Sequence, residues 1–209
     1  MKQVPLLITL AISLSLCNLS EKLKKAGNSN SPSASPASSS GGPAAERPAP
    51  TSAQQAAIAN GQTAQWERQG ISWTVPANWK EVTKESKSLL WRSPGSWDAA
   101  NLIVSISPMD ESFPTDISIQ AFYDGAKTRS MNGEVDELKW LELDGLKGVQ
   151  FRESDPEKPD GIRRLQWLAY RKYAGQVQMV NVMLSSSGKG FPQHQDAMYG
   201  ILYSTKIQH

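Results

Sequence analysis

The most regular hydrophobic pattern of this chain lies in residues 138–185, where two pairs of alternating strands are each joined by a two-residue turn that ends in glycine. The first turn is Asp144-Gly145, a dipeptide typical of type I′ hairpin turns because both central positions need a positive φ. Counting outward from this turn fixes the strand register. It places four apolar residues on one face of the hairpin: Leu138, Trp140, Val149 and Phe151.

The second hairpin turns at Ala174-Gly175 and is apolar on both faces. One face carries Leu165, Trp167, Ala169, Val180, Val182 and Leu184. The other face carries Leu168, Tyr170, Val177, Met179 and Met183. Because neither face is polar, we predict that both sides of the sheet are covered, with helices as the covering elements.

Shorter patterns fill in the remaining elements. Alternation predicts strands over residues 71–75, 79–83, 88–92 and 102–106. Helical spacing of Ile119, Phe122, Tyr123 and Ala126 predicts one amphipathic helix that ends near Met131. A last helix is predicted after Pro192, with a stripe made of Phe191, His194, Met198, Ile201 and Leu202. Beyond that helix, Ile207 is expected to return beside a strand.

The N-terminus, residues 1–17, has the proportions of a signal peptide. Its apolar run follows Lys2 and is shorter than the about 20 residues that span a bilayer. It resembles a bacterial lipoprotein signal, which implies lipidation of Cys17, although Leu16 stands where that pattern has a small residue. An ordinary or uncleaved signal peptide and a buried N-terminal helix are the alternatives. Cys17 is the single cysteine, so the chain cannot form an internal disulfide.

Residues 18–65 are rich in Ser, Pro and Ala and have few large apolar side chains. Such a segment cannot bury enough surface to offset its ordering entropy, so it is predicted to be a disordered linker, with a short helical turn over residues 54–60. The folded domain is predicted to comprise residues 66–209.

Charge is distributed unevenly between these parts. The chain has 22 basic and 20 acidic residues, of which five basic and two acidic lie in the first 65, which leaves 17 basic and 18 acidic in the domain. A nucleic-acid-binding domain needs a basic face. The near-neutral domain therefore argues against nucleic acid as a partner.

Several of these segments together resemble the PsbP-like family. They are the strand leading into Val75-Pro76-Ala77-Asn78-Trp79, the Ser93-Pro94 loop, the two hairpins, and Phe191 with the terminal helix that ends in residues 201–207. The resemblance covers residues 66–207. It implies an α+β fold: an α/β/α sandwich with a central antiparallel sheet of six or seven strands and flanking helices, shared with the nuclear-import factor Mog. It also implies protein binding rather than catalysis, and no functional residue carries over.

Catalytic constellations are hard to assemble from this sequence. His194 is the only histidine apart from the last residue, and Asp196 two positions later on the same helix points away from it. No nucleophile elbow, zinc pattern or phosphate-loop motif occurs. We therefore expect no catalytic, cofactor or metal site.

Three segments remain as candidate binding sites, each with a structural alternative. Gly188-Lys189-Gly190 before the last helix is a candidate anion site, or a connecting loop. The acidic stretch with Glu153, Asp155, Glu157 and Asp160 has oxygen ligands for calcium but not the EF-hand spacing, which favours a solvated loop. Trp97 lies in a turn-rich loop and is a candidate partner-binding residue, unless it folds back onto the domain.

These observations favour a non-enzymatic, exported module of the cell envelope, anchored through Cys17 if that residue is lipidated. We expect a monomer without cofactors that binds a protein or small ligand through its loops. The alternatives are a hydrolase-like enzyme that uses carboxylates in a cleft at a sheet edge, and a structural spacer of the envelope.

Overall fold

The computed structural model describes residues 44–208, so Cys17, the predicted signal peptide and most of the predicted linker lie outside the described residues. In chain order the elements are α1 (Ser52–Ile58), β1 (Gln62–Trp66), a 3₁₀ turn (Glu67–Gln69), β2 (Ile71–Val75), β3 (Lys80–Lys84), β4 (Ser88–Arg92), β5 (Asn101–Met109), α2 (Thr115–Met131), β6 (Val135–Leu143), β7 (Leu146–Glu153), β8 (Ile162–Tyr173), β9 (Gln176–Ser187), α3 (Phe191–Tyr203) and β10 (Lys206–Ile207). Among these, no helix has the length and apolar character needed to cross a membrane.

The centre of the domain is a seven-stranded sheet in the order β3-β4-β5-β9-β8-β7-β6, with every neighbouring pair antiparallel. The predicted register of both hairpins is confirmed, because Trp140 lies opposite Val149 and Trp167 opposite Val182. The turn explains why: Asp144 and Gly145 have φ angles of 47° and 85°, as a type I′ turn requires.

Both faces of this sheet are covered, as predicted, and each has its own apolar cluster. On one face, α3 packs against β9 and β2 over the larger cluster, which contains the largest fully buried side chains. On the other face, α2 packs against β6, β7 and β8 over a smaller cluster. The buried members of this smaller cluster are Ala126, Val135, Trp140, Val149, Phe151 and Leu168. The domain is thus the α+β sandwich expected from the sequence.

A second, three-stranded sheet was not predicted. It has the order β1-β2-β10, and both pairs are antiparallel. Ile207 lies opposite Ile71, which confirms its predicted return beside a strand. The alternating residues Ile71, Trp73 and Val75 are almost fully buried, so this small sheet adds its apolar side to the larger cluster.

Ordered structure begins earlier than the predicted boundary at Trp66. Helix α1 starts after Thr51, whose side chain accepts a hydrogen bond from the Gln54 amide in a capping box. This helix packs against α3, and the contact is so close that a Cβ on Gly200 would lie 2.6 Å from the Gln54 carbonyl oxygen. The last part of the predicted linker, including the first four residues of β1, therefore belongs to the domain.

Candidate functional site

The loop between β4 and β5 presents Trp97 to solvent. Its base is closed by Ser93, which donates its amide to the Ala100 carbonyl (2.9 Å) and accepts the Ala100 amide on its hydroxyl (2.8 Å). Arg92 Nη2 donates to the Ser96 carbonyl oxygen at 2.9 Å, beside the indole. Despite this fixed backbone, the Trp97 side chain does not fold back into the core and is 61% exposed.

Lys189 lies against the same indole. Its Nζ is 5.4 Å from the centroid of the Trp97 ring, which is cation–π distance. The Ser186 hydroxyl, near the end of β9, donates to the Asp98 carbonyl oxygen at 2.8 Å and so ties the β4–β5 loop to the strand that leads into Lys189. The structure thus unites two segments that the sequence analysis had treated separately. We call the group formed by Arg92, Trp97, Asp98 and Lys189 the Trp97 corner.

The Trp97 corner has an excess of positive charge. It carries two cations, Arg92 and Lys189, and one carboxylate, Asp98. Within residues 44–208, neither cation forms a salt bridge. An exposed indole beside cations without acidic partners can hold a carboxylate-bearing segment, with the ring as apolar anchor.

The backbone of the predicted anion site is already in use. All three amides donate within the chain: Gly188 to the Gly161 carbonyl (2.7 Å), Lys189 to the Pro159 carbonyl (2.9 Å) and Gly190 to the Ser187 hydroxyl (3.0 Å). The glycines have a packing role, because a Cβ on Gly188 would lie 2.5 Å from Pro156 Cγ. Only the Lys189 ammonium group remains for a ligand.

The acidic stretch after β7 is bound by arginines. Glu153 pairs with Arg129 and Arg164, each at 3.0 Å, and Asp155 pairs with Arg163 at 2.6 Å. In the part of the chain that the structure describes, no three His, Cys, Asp or Glu side chains are grouped to hold a metal ion. These carboxylates therefore fix the β7–β8 connection.

Sequence reasoning missed a polar cluster between β6 and α3. The Glu137 carboxylate accepts hydrogen bonds from the Tyr199 hydroxyl and from the Gln150 side-chain amide (2.7 Å). It also forms an ion pair with Lys139 at 3.1 Å. Burial disfavours the ionised carboxylate, but the hydrogen bonds from Tyr199 and Lys139 outweigh it, so the pKa of Glu137 is lowered. Burial and the same carboxylate raise the pKa of the Tyr199 phenol. We call Glu137, Lys139, Arg152, Tyr199 and Tyr203 the β6–α3 cluster.

This cluster gives little support to an enzyme. Asp136 and Glu137 are neighbours in the sequence at a register shift of β6, and they are the carboxylates that the hydrolase alternative would use there. However, Asp136 binds Arg152 at 2.7 Å and Arg163 at 2.5 Å, and Glu137 is held as described above. Since both carboxylates are neutralised by cations, neither is a free general base. The arrangement fastens α3 to the edge of the sheet.

Comparison by sequence finds no matching family model, and no curated protein matches. Comparison by structure does find solved proteins with a similar fold. LpqN, described as involved in cell envelope biogenesis of Mycobacterium tuberculosis, superposes with a TM-score of 0.54 at 14% identity, over 71% of this chain and 86% of LpqN.

Two further solved structures superpose less closely. Cyanobacterial PsbP from Synechocystis gives a TM-score of 0.47 at 14% identity, covering 70% of this chain and 92% of its own. The Ran-binding protein Mog1p of Saccharomyces cerevisiae gives 0.42 at 9% identity, covering 71% and 95%. The seven-stranded antiparallel sheet with helices on both faces, together with the superposition on LpqN, confirms at the level of the fold the resemblance predicted from the sequence.

Proposed function

We propose that this protein is an exported, non-enzymatic binding module that holds an acidic segment of a partner protein at the Trp97 corner. The observation that carries the proposal is the position of Trp97, a large indole that is 61% exposed and lies against Lys189, while Arg92 binds the carbonyl of the preceding residue, Ser96. Neither cation forms a salt bridge within residues 44–208. Tryptophan and arginine are enriched among the residues that dominate binding energy in protein interfaces. The LpqN fold, found in a protein of cell envelope biogenesis, is in keeping with this role.

The indole and the cations contribute differently. Burial of an exposed indole by a partner removes a large apolar surface from water and supplies affinity. The charges of Arg92 and Lys189 select for acidic partners and accelerate encounter, an effect that salt screens. A partner should therefore bind faster at low ionic strength, while the loss of Trp97 should mainly speed dissociation.

We expect Trp97→Ala to weaken partner binding at least tenfold, since truncation of a central aromatic anchor typically has an effect of this size or more. To identify the partner, a photoreactive phenylalanine analogue at position 97 of the full chain is crosslinked in an envelope extract. The crosslinked protein is then purified, and its affinity for wild type and for Trp97→Ala is measured by titration calorimetry.

The matched control is position 131, because Met131 is also apolar and is 82% exposed, on α2. The same photoreactive group at position 131 should not capture that protein, and Met131→Ala should bind it with unchanged affinity. Equal capture from both positions, or equal affinity of wild type and Trp97→Ala, contradicts the proposal.

We further propose that Cys17 carries a lipid that holds the module at a membrane, with the segment that follows as its tether. The variant Cys17→Ser should then move the protein from the membrane fraction to the soluble fraction, because the single cysteine is the only acceptor for a thioether-linked lipid. Mass spectrometry of the mature N-terminus is the direct measurement. A mature protein that retains Met1 contradicts cleavage before Cys17 and therefore the lipid anchor.

A further inference from the structure

A short segment that precedes the domain lies along the free side of strand β6. Glu46 forms a parallel bridge with Leu141, in which its amide donates to the Trp140 carbonyl (2.9 Å) and its carbonyl accepts the Glu142 amide (2.8 Å). Ala45 packs against the smaller apolar cluster. We call residues 44–47 the cover segment, because it shields the last edge of the seven-stranded sheet.

The cover segment also matches the charges of β6. Lys139 Nζ is 3.6 Å from the Glu46 carboxylate, and Arg47 Nε is 3.3 Å from the Glu142 carboxylate. The acid-then-base order of the cover segment is thus the complement of Lys139 followed by Glu142. This pairing defines the chemistry that the β6 edge recognises.

Proline keeps the cover segment short. Pro48 follows it directly, two residues after Glu46, where a strand would donate its next amide to β6, and proline has no amide hydrogen to donate. Strand β6 has nine residues, but the main-chain hydrogen bonds of the cover segment reach only Trp140 and Glu142. By the two-residue period of a strand, the amide and carbonyl of Leu138 point outward from the same edge.

We propose that the β6 edge is a strand-capture site for a partner segment that is extended, carries an acidic residue followed by a basic residue, and lacks flanking prolines. The cover segment occupies this site weakly within the same chain. A longer strand forms the same two hydrogen bonds and ion pairs and adds pairs at Leu138 and beyond, so it displaces the cover segment. This mode of binding is β-strand addition. It is separate from the Trp97 corner, because the β4–β5 loop lies toward the opposite side of the sheet.

The test uses the full chain and a synthetic peptide, Thr-Val-Ala-Ala-Glu-Arg-Thr-Val, which keeps the cover segment and has β-forming residues in place of Gly42, Pro43, Pro48 and Ala49. Glu46→Pro removes the amide that bonds Trp140 and so vacates the edge. Ala49→Pro is the matched control, since it makes the same change outside the cover segment. We expect Glu46→Pro to bind the peptide at least tenfold more tightly than wild type or Ala49→Pro, with amide-exchange protection gained over residues 138–142.

Two further measurements keep the result decisive. A peptide with Glu and Arg exchanged should bind Glu46→Pro at least fivefold more weakly, because it sets like charges against Lys139 and Glu142. If Glu46→Pro fails to fold, Glu46→Lys weakens the cover segment without a backbone change and should show the same preference.

Three outcomes overturn the proposal: equal binding of both peptides, no gain of peptide binding in Glu46→Pro or Glu46→Lys, or dimerisation of these variants in place of peptide binding. Trp97→Ala should leave peptide binding unchanged.

Discussion

Trp167→Ala is expected to remove a large fraction of the stability of the domain. The Trp167 side chain is fully buried at the centre of β8, and its Nε1 donates to the Leu141 carbonyl oxygen at 3.1 Å. Truncation of a buried tryptophan to alanine costs about 3–5 kcal/mol. A domain of this size has a total stability of about 5–15 kcal/mol. Urea unfolding of the full chain, followed by circular dichroism, should show a loss of about 3–5 kcal/mol, a large fraction of that total.

The packing beneath the indole makes relaxation difficult. Gly148 lies on the neighbouring strand, where a Cβ would come 2.6 Å from the Trp167 ring and 2.4 Å from the Leu168 carbonyl oxygen. The space left by Trp167→Ala is therefore bounded on the Gly148 side by the main chain of β7, which is held in the sheet and does not move in to fill it. Trp97→Ala serves as the control, since its exposed side chain should change stability by no more than about 0.5 kcal/mol. A loss below about 1 kcal/mol for Trp167→Ala would contradict this account of the core.

The elements that the sequence predicts well are those specified by neighbouring residues. Asp144-Gly145 and Ala174-Gly175 both adopt positive φ, so each turn sets the register of its own hairpin. Once the register was set, the apolar residues on both faces required two covering layers. The positions of α2 and α3 on opposite faces follow from that requirement.

The elements that the sequence did not predict depend on contacts between distant residues. Strand β10 is only two residues long and pairs with β2 from the far end of the chain. Glu137 and Lys139 have the spacing of a polar strand face, which normally lies in water. In the folded protein that face lies under α3, where the Tyr199 hydroxyl bonds Glu137 and the Tyr203 hydroxyl bonds Lys139. No local sequence pattern predicts these contacts.

The candidate site shows the same division. The turn-rich loop predicted Trp97 as a partner-binding residue. Its contact with Lys189 could not be predicted, because the two residues are far apart in the sequence. The cover segment was hidden for another reason. Its composition is that of a linker, and it binds mainly through backbone groups, which composition does not report. Pro48 was the available signal, since a proline two residues after Glu46 ends the ladder of main-chain hydrogen bonds at that point.

Glu137→Gln is expected to destabilise the domain by about 2 kcal/mol at pH 7, since hydrogen bonds to a charged group are worth about 1.5–3 kcal/mol each and the glutamine amide retains part of them. Because the pKa of Glu137 is lowered in the folded state, its stabilising effect is complete above its unfolded-state pKa of ~4.3 and is lost as the pH falls through the lower folded-state value. The difference in the free energy of unfolding between wild type and Glu137→Gln, measured in urea, should therefore be constant from pH 7 to about pH 5 and shrink below ~4.3.

Glu46→Gln is the matched control, because Glu46 pairs with the same Lys139 but its side chain is 66% exposed. Its effect on the free energy of unfolding should stay below about 0.5 kcal/mol. Equal effects of the two substitutions, or a difference that grows in acid, would mean that the β6–α3 cluster does not hold Glu137 as an ionised carboxylate.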